Sequence, residues 1–153
     1  MNTRITNFTS RNLVLRPTLD TSPYAAGDVL FNSTELVVSP LSSRVSGTIK
    51  GISVLDKDDV GAAIDLWFLR SNVVFGAANA APSITDAAAE AVLKYVSLTP
   101  DKDLGVCKFG QVACAISFDI DSPKMYIAAV TQGTPTYTAA GLVITVDIEL
   151  EVG

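Results

Sequence analysis

The residues of this chain best suited to chemistry are carboxylates. In Asp56-Lys57-Asp58-Asp59-Val60-Gly61, three acids precede a glycine. A calcium loop begins in this way, with oxygen ligands at its first, third and fifth positions and glycine at its sixth. Here the fifth position is Val60, and Trp67 stands where a bidentate glutamate is needed. The pattern fails at its strongest ligand. The segment reads as a hairpin turn between two strands with Gly61 in the left-handed conformation, and a weak cation site at Asp56, Asp58 and Asp59 is the alternative. Asp101, Asp103, Asp119 and Asp121 read as turn residues, whose short carboxylates bond to nearby backbone N–H groups.

Nucleophilic chemistry has less material. The chain of 153 residues has no histidine, which removes most triads and most zinc sites. It has no G-x-S-x-G and no phosphate-cradling glycine loop. The reading is a protein that is not an enzyme, with no catalytic residue, metal or cofactor assigned. Cys107 and Cys114 bracket a stretch readable as a hairpin with Gly110-Gln111 at its turn, which would make them cross-strand neighbours with α-carbons about 5.5 Å apart. Bridging is one option. A reducing cytoplasm favours the other, two small apolar core residues.

The elements that would position such groups are short strands. Runs at 13–16, 28–31, 35–39, 47–56, 63–70, 72–75, 111–119, 124–131 and 141–152 are separated by clusters of Pro, Gly, Asn, Asp and Ser. Such spacing predicts an all-β protein, a sandwich or barrel. The last run is the clearest: Leu142, Ile144, Val146, Ile148, Leu150 and Val152 alternate with Val143, Thr145, Asp147, Glu149 and Glu151. One face packs on a core and the other, an acidic stripe, reads as a solvated edge. Segment 63–70 differs, with Ile64, Leu66 and Phe68 on one side and Asp65, Trp67 and Leu69 on the other. Large apolar groups on both sides suggest contact with another chain. One helix is expected at about 84–95, capped by Ser83 and stopped before Thr99-Pro100. Residues 1–12 show no periodicity and read as an extended arm ahead of a single domain over 13–153, with Arg4, Ile5, Phe8 and Arg11 available for docking.

Composition sets limits on partners. Eleven basic residues against 16 acidic ones give a net charge of −5, which leaves no electrostatic footprint for phosphate backbones and excludes direct nucleic-acid binding from the reading. Hydrophobic residues make up 48% of the chain and charged residues 18%, below the roughly 25% of an average domain. The apolar surplus suits contacts between chains. No run approaches the ~18 apolar residues of a membrane span, and the polar start lacks a signal-peptide core, so synthesis in a cytoplasm without membrane association is expected.

Several stretches together resemble small virion proteins of tailed bacteriophages. They are Leu15-Arg-Pro-Thr-Leu-Asp20-Thr-Ser-Pro-Tyr24-Ala-Ala-Gly27-Asp28-Val-Leu30, Val54-Leu-Asp-Lys-Asp-Asp-Val-Gly61, Asp65-Leu-Trp-Phe68-Leu, and Gly133-Thr-Pro-Thr-Tyr137-Thr-Ala-Ala-Gly141-Leu. The resemblance implies a small β-sandwich, read here as jelly-roll-like with one short helix, and an immunoglobulin-like topology fits the nine short strands as well. It further implies a capsid decoration or cement protein, a homotrimer made in the host cytoplasm. Such a protein would sit on the outer capsid surface at junctions between subunits of the major capsid protein. The candidate interface then comprises Arg4, Ile5, Phe8, Arg11, Trp67, Leu69 and Tyr137. The alternative is a carbohydrate- or receptor-binding module on the virion surface, with Trp67, Tyr137 or Tyr24 as stacking platforms.

Overall fold

The structure, a computed structural model, describes residues 7–40 and 44–152. In chain order its elements are β1 (Asn7–Leu15), β2 (Val29–Val37), β3 (Val45–Asp56), β4 (Ile64–Leu69), α1 (Asp86–Ala89), β5 (Val92–Leu98), β6 (Lys102–Asp103), β7 (Lys108–Ile120), β8 (Lys124–Thr131) and β9 (Leu142–Val152). The strand pairs run from the ends of the chain inward. β1 pairs with β9, β2 with β8, β3 with β7 and β4 with β5, each antiparallel. The described chain is thus one long antiparallel ribbon that bends back between β4 and β5. Winding the ribbon adds the contacts β9 to β3 and β8 to β4. Two sheets result, ordered β1-β9-β3-β7-β6 and β2-β8-β4-β5. This is a jelly roll, a sandwich of two sheets with successive rungs of the ribbon alternating between them.

The loops continue the ribbon by hydrogen bonding across it. Leu19 N donates to Ala139 O at 2.9 Å and Tyr24 N to Pro135 O at 2.9 Å, joining the β1–β2 connection to the β8–β9 connection. At the other end, Val38 N donates to Pro123 O at 2.8 Å. Between the sheets, Ile49, Ile64, Leu66, Phe68, Ile127, Ile144 and Val146 are buried completely. Each such side chain stabilises the fold by roughly 1.5–3 kcal/mol of transfer free energy.

β9 alternates as its sequence predicts, with Leu142 to Leu150 inward, but it is a central strand paired on both sides. The stripe of Asp147, Glu149 and Glu151 therefore runs down the middle of a sheet's outer face and guards no edge. β8 is apolar almost throughout because both its faces are covered. The main core lies beneath it, and residues 70–91 form a strap over its outer face. The strap closes a second core of Val29, Leu69, Phe75, Ala128 and Val130, against which Trp67, Val73 and Ile84 pack. Asn32 holds it down, its Oδ1 accepting Phe75 N at 2.8 Å, and Val29 N donates to Ala80 O at 2.8 Å.

Four expectations are corrected. The helix over 84–95 shrinks to Asp86–Ala89, capped by Thr85 in place of Ser83. Beyond it, β-branched and aromatic Val92, Tyr95 and Val96 pair with β4, and burial against a sheet outweighs the helical spacing. Residues 72–75 form no strand and belong to the strap. Residues 7–12 of the expected arm are the first part of β1, paired along β9, and residues 1–6 lie outside the described residues. Cys107 and Cys114 do not face each other across a hairpin, since 108–120 is one strand, and both are free thiols.

Candidate functional site

The acidic loop carries an internal hydrogen-bond network. Asp56, at the end of β3, is fully buried. Its Oδ1 accepts from Asp58 N at 3.0 Å, and its Oδ2 from Val60 N at 3.0 Å and Gly61 N at 2.7 Å. Asp58 reaches across to the β8–β9 connection, accepting from Thr138 N at 2.8 Å and Thr138 Oγ1 at 2.9 Å. Both acids thus hold the loop together. Among the described residues no group of three or more metal-capable side chains occurs. Gly61 is left-handed, at φ +73°, as its place in the turn requires, and so is Asp59 at φ 57°. The loop crosses from one sheet to the other and joins no hairpin, because β3 and β4 belong to different sheets.

Asp103 behaves as a turn residue, its Oδ1 accepting Gly105 N at 2.7 Å. Asp119 instead pairs with a cation, accepting from Arg44 Nε at 2.7 Å. The Arg44 guanidinium holds the Asp119 carboxyl below its ordinary range, with Ser46 adding a hydrogen bond.

The predicted interface residues scatter. Arg4 and Ile5 lie outside the described residues. Arg11 is half-buried and turned inward, its Nη1 donating to Val38 O at 2.8 Å, which clasps β1 to the end of β2. Leu69 and Tyr137 belong to the cores, at 0% and 2% exposure, so neither offers surface to a partner. Leu69 points outward from its sheet as read, but the strap covers it. Tyr137 meets Tyr24 edge-on at 6.2 Å between ring centroids, and burial pushes its phenol well above the usual range, with Asp56 and Asp58 adding to the shift. Tyr24 is buried too, and its OH accepts Asp20 N at 2.9 Å. Neither tyrosine can stack a sugar. Trp67 is stacked on Tyr95 at 4.7 Å and tilted against Phe75 at 5.6 Å. The apolar outer face of 63–70 is therefore explained mainly by the chain's own strap, and Tyr95 is the part of that aromatic group left open to solvent.

Phe8 alone of the described candidates presents a largely free ring, on the outer face of the sheet containing β1 and opposite Glu151. That face carries two shallow hollows. One, of about 330 Å³, is bordered by Phe8, Thr48, Ser117 and Glu151. The other, of about 480 Å³, lies between Lys50, Gly51, Phe109, Ala113 and Asp147. Small side chains on β3 and β7 make the hollows. Thr48 faces Ser117 and Gly51 faces Ala113, where larger residues would fill the space.

Sequence reading missed the most exposed apolar group, the β6–β7 turn. Leu104 and Val106 are 57% and 84% exposed. The turn between them is tied by Leu104 N to Cys107 O at 2.9 Å and by the Asp103 carboxylate, with Gly105 left-handed at φ +98°. The signal was present in Asp103-Leu104-Gly105-Val106, where a turn built on Asp and Gly carries branched apolar residues in place of polar ones.

No protein-family model and no curated protein matches the chain. Among solved structures, it is similar to tomato aspermy virus, at 13% identity over all of this chain and 81% of that one, with a TM-score of 0.43. It is similar to the T13 IBDV viral particle at 10% identity, covering 95% of this chain and 31% of that one, with a TM-score of 0.40. For desmodium yellow mottle tymovirus the identity is 13%, the coverage 99% and 89%, and the TM-score 0.38.

Proposed function

We propose that the chain is a structural subunit of a virion, a decoration protein on the outer surface of a tailed-phage head. In this reading it binds at junctions between major capsid protein subunits and stabilises the shell. The observation that carries the reading is the jelly-roll ribbon, an architecture shared by viral capsid and lectin domains. Fold alone does not choose between those two. The side chains favour the first. Tyr24 and Tyr137 are spent inside the core, Trp67 packs under the strap and Tyr95, and exposed apolar groups stand as Phe8 and Val14 on one sheet face, as Val74 on the strap, as Tyr95 beside Trp67, and as Leu104 and Val106 on a turn. Apolar groups spread over a surface suit protein contacts better than a sugar pocket.

Mechanically, such a protein works by repetition. Each copy makes modest contacts, and a symmetric lattice multiplies them, so that separating two capsid subunits means breaking many contacts at once. A homotrimer would sit naturally where three shell subunits meet. Arg4 and Ile5, ahead of β1, would add contacts to a neighbouring subunit.

The test is reconstitution on undecorated heads. Saturable binding at a fixed copy number, with a raised temperature of shell disruption, is expected. Heads that bind no protein, or bind it without a change in disruption temperature, would contradict the reading.

A further inference from the structure

Residues 70–91 cross the outer face of β8 and are fastened at two margins. At the base, where the chain leaves β4 and returns to β5, Arg70 N donates to Ala91 O at 2.9 Å. At the far margin, Val29 N donates to Ala80 O and Asn79 N to Val29 O, both at 2.8 Å. Asn32 Oδ1 accepts Phe75 N, and Ser33 Oγ is shared between Val73 O and Asn72 Oδ1. The Asn79 amide adds two longer bonds of 3.4 Å, to Asp20 Oδ2 and Ser22 O. Apart from the base, these bonds all end on β2 or on the connection ahead of it. Over β8 itself the strap makes apolar contact, with Ala128 and Val130.

The far margin is an irregular stretch of its sheet. β2 loses register against β8 between Val29 and Phe31 and again between Phe31 and Thr34. Asn32 and Ser33 lie in the second break, and their side chains bind the strap. Bulges recur next to active sites.

Apolar anchoring is light. Of residues 70–91 only Phe75, Gly76 and Ala91 are buried. One large side chain, helped by half-buried Val73 and Ile84, therefore holds the strap against Leu69, Ala128 and Val130. That cluster is separate from the main core, and no strap residue belongs to either sheet. The closed strap also leaves Trp67 Nε1 buried with no acceptor among the described residues, a penalty that access to water removes. A segment with few buried apolar contacts opens at lower cost than the core around it.

We propose that residues 70–91 are a hinged cover, which unlatches from the β2 bulge, turns about the Arg70–Ala91 base and bares an apolar trough of β4 and β8 while both sheets stay folded. The trough is lined by Trp67, Leu69, Ala128 and Val130, and Phe75, tilted against Trp67 at 5.6 Å, is the bolt that closes it. The inference goes beyond the virion reading and does not depend on it.

Native-state hydrogen exchange of the wild-type chain, read by mass spectrometry, tests it. Peptides within 70–91 should lose protection together, about a hundredfold sooner than those of β3, β8 and β9. Phe75→Ala should raise acrylamide quenching of Trp67 and strip protection from 70–91, with exchange in β3, β8 and β9 held within about tenfold of the wild type. Strap peptides that exchange only together with β3 and β9 would overturn the inference. So would a Phe75→Ala chain that keeps wild-type quenching and strap protection, or one whose sheets unfold along with the strap.

Discussion

Gly141 sits directly against the carboxylate of Asp58, so close that a β-carbon on residue 141 would collide with Asp58 Oδ2. The contact is where the two arms of the ribbon meet. Asp58 lies between β3 and β4, Gly141 just ahead of β9, and Lys57 N donates to Gly141 O at 2.8 Å beside them. Gly141→Ala should therefore cost about 1–3 kcal/mol, the usual range for forcing volume into a packed site. Asp58→Ala should cost about 1.5–3 kcal/mol through its lost bonds to Thr138. Because the first penalty depends on the Asp58 carboxylate, the double variant should be less destabilised than the sum. Strict additivity in urea denaturation would show that the close approach does not matter.

Asp56 satisfies three backbone donors from inside the protein. Asp56→Ala should destabilise by about 2–4 kcal/mol, because the amides of Asp58, Val60 and Gly61 lose their acceptor. Asp56→Asn keeps one carbonyl oxygen and should cost less. Chemical denaturation gives the order, and equal losses for the two variants would mean that the acceptor role is not what the site requires.

Tyr137 gives the fold a limit in alkali. Its phenol is raised above the unfolded value by burial and by nearby carboxylates, so the folded state favours the protonated form. The resulting stability is complete below the unfolded tyrosine value of about 10 and is lost as pH rises above it. The Tyr137 hydroxyl has no hydrogen-bond partner among the described residues, so Tyr137→Phe should leave neutral-pH stability unchanged or slightly raised. It should also flatten the fall in stability between about pH 10 and 12. An alkaline limb as steep as that of the wild type would assign the effect elsewhere.

Asn32 ties the strap to the sheet through Phe75 N at 2.8 Å and Gly76 N at 3.4 Å. Asn32→Ala should loosen residues 70–91 more than it lowers global stability, by roughly 1–3 kcal/mol locally. Trp67, the chain's only tryptophan, packs against the strap and reports on it. Its emission should shift to the red, and limited proteolysis should cut within 76–83 before any global unfolding. Unchanged emission and cleavage would mean that apolar packing alone keeps the strap in place.

The two-sheet fold was legible in the sequence where one face of a strand is buried and the other wet. β9 is the clearest instance, since its alternation is the pleat itself. Legibility failed where chain folds onto chain. The apolar residues Trp67 and Leu69 were correctly placed on an outward face, but a sequence does not say that residues 70–91 return to cover it. The same tertiary packing converts Val92–Leu98 from a helical pattern into a strand, because Tyr95 stacks on Trp67 across the β4–β5 pair. Ribbon pairing is non-local as well, with Phe8 opposite Glu151, and this hid the part of β1 that read as an arm.

The candidate site was less legible than the fold. Phe8 was found by type and stands exposed. Arg11 and Tyr137 were found by type too, but the fold uses them internally, one as a clasp and one as core. Leu104 and Val106 escaped because turn residues are read for backbone conformation, and their side chains are passed over.

The central claim is that this jelly roll is a structural part of a phage particle, carried on its outside. Its most direct test is immunogold labelling of intact purified particles with antibody to the chain, paired with quantitative mass spectrometry of the same preparation. The account predicts dense label on intact heads and a copy number in a simple ratio to the major capsid protein. Particles that contain no copies of the chain, or that take label only after they are opened, would contradict it.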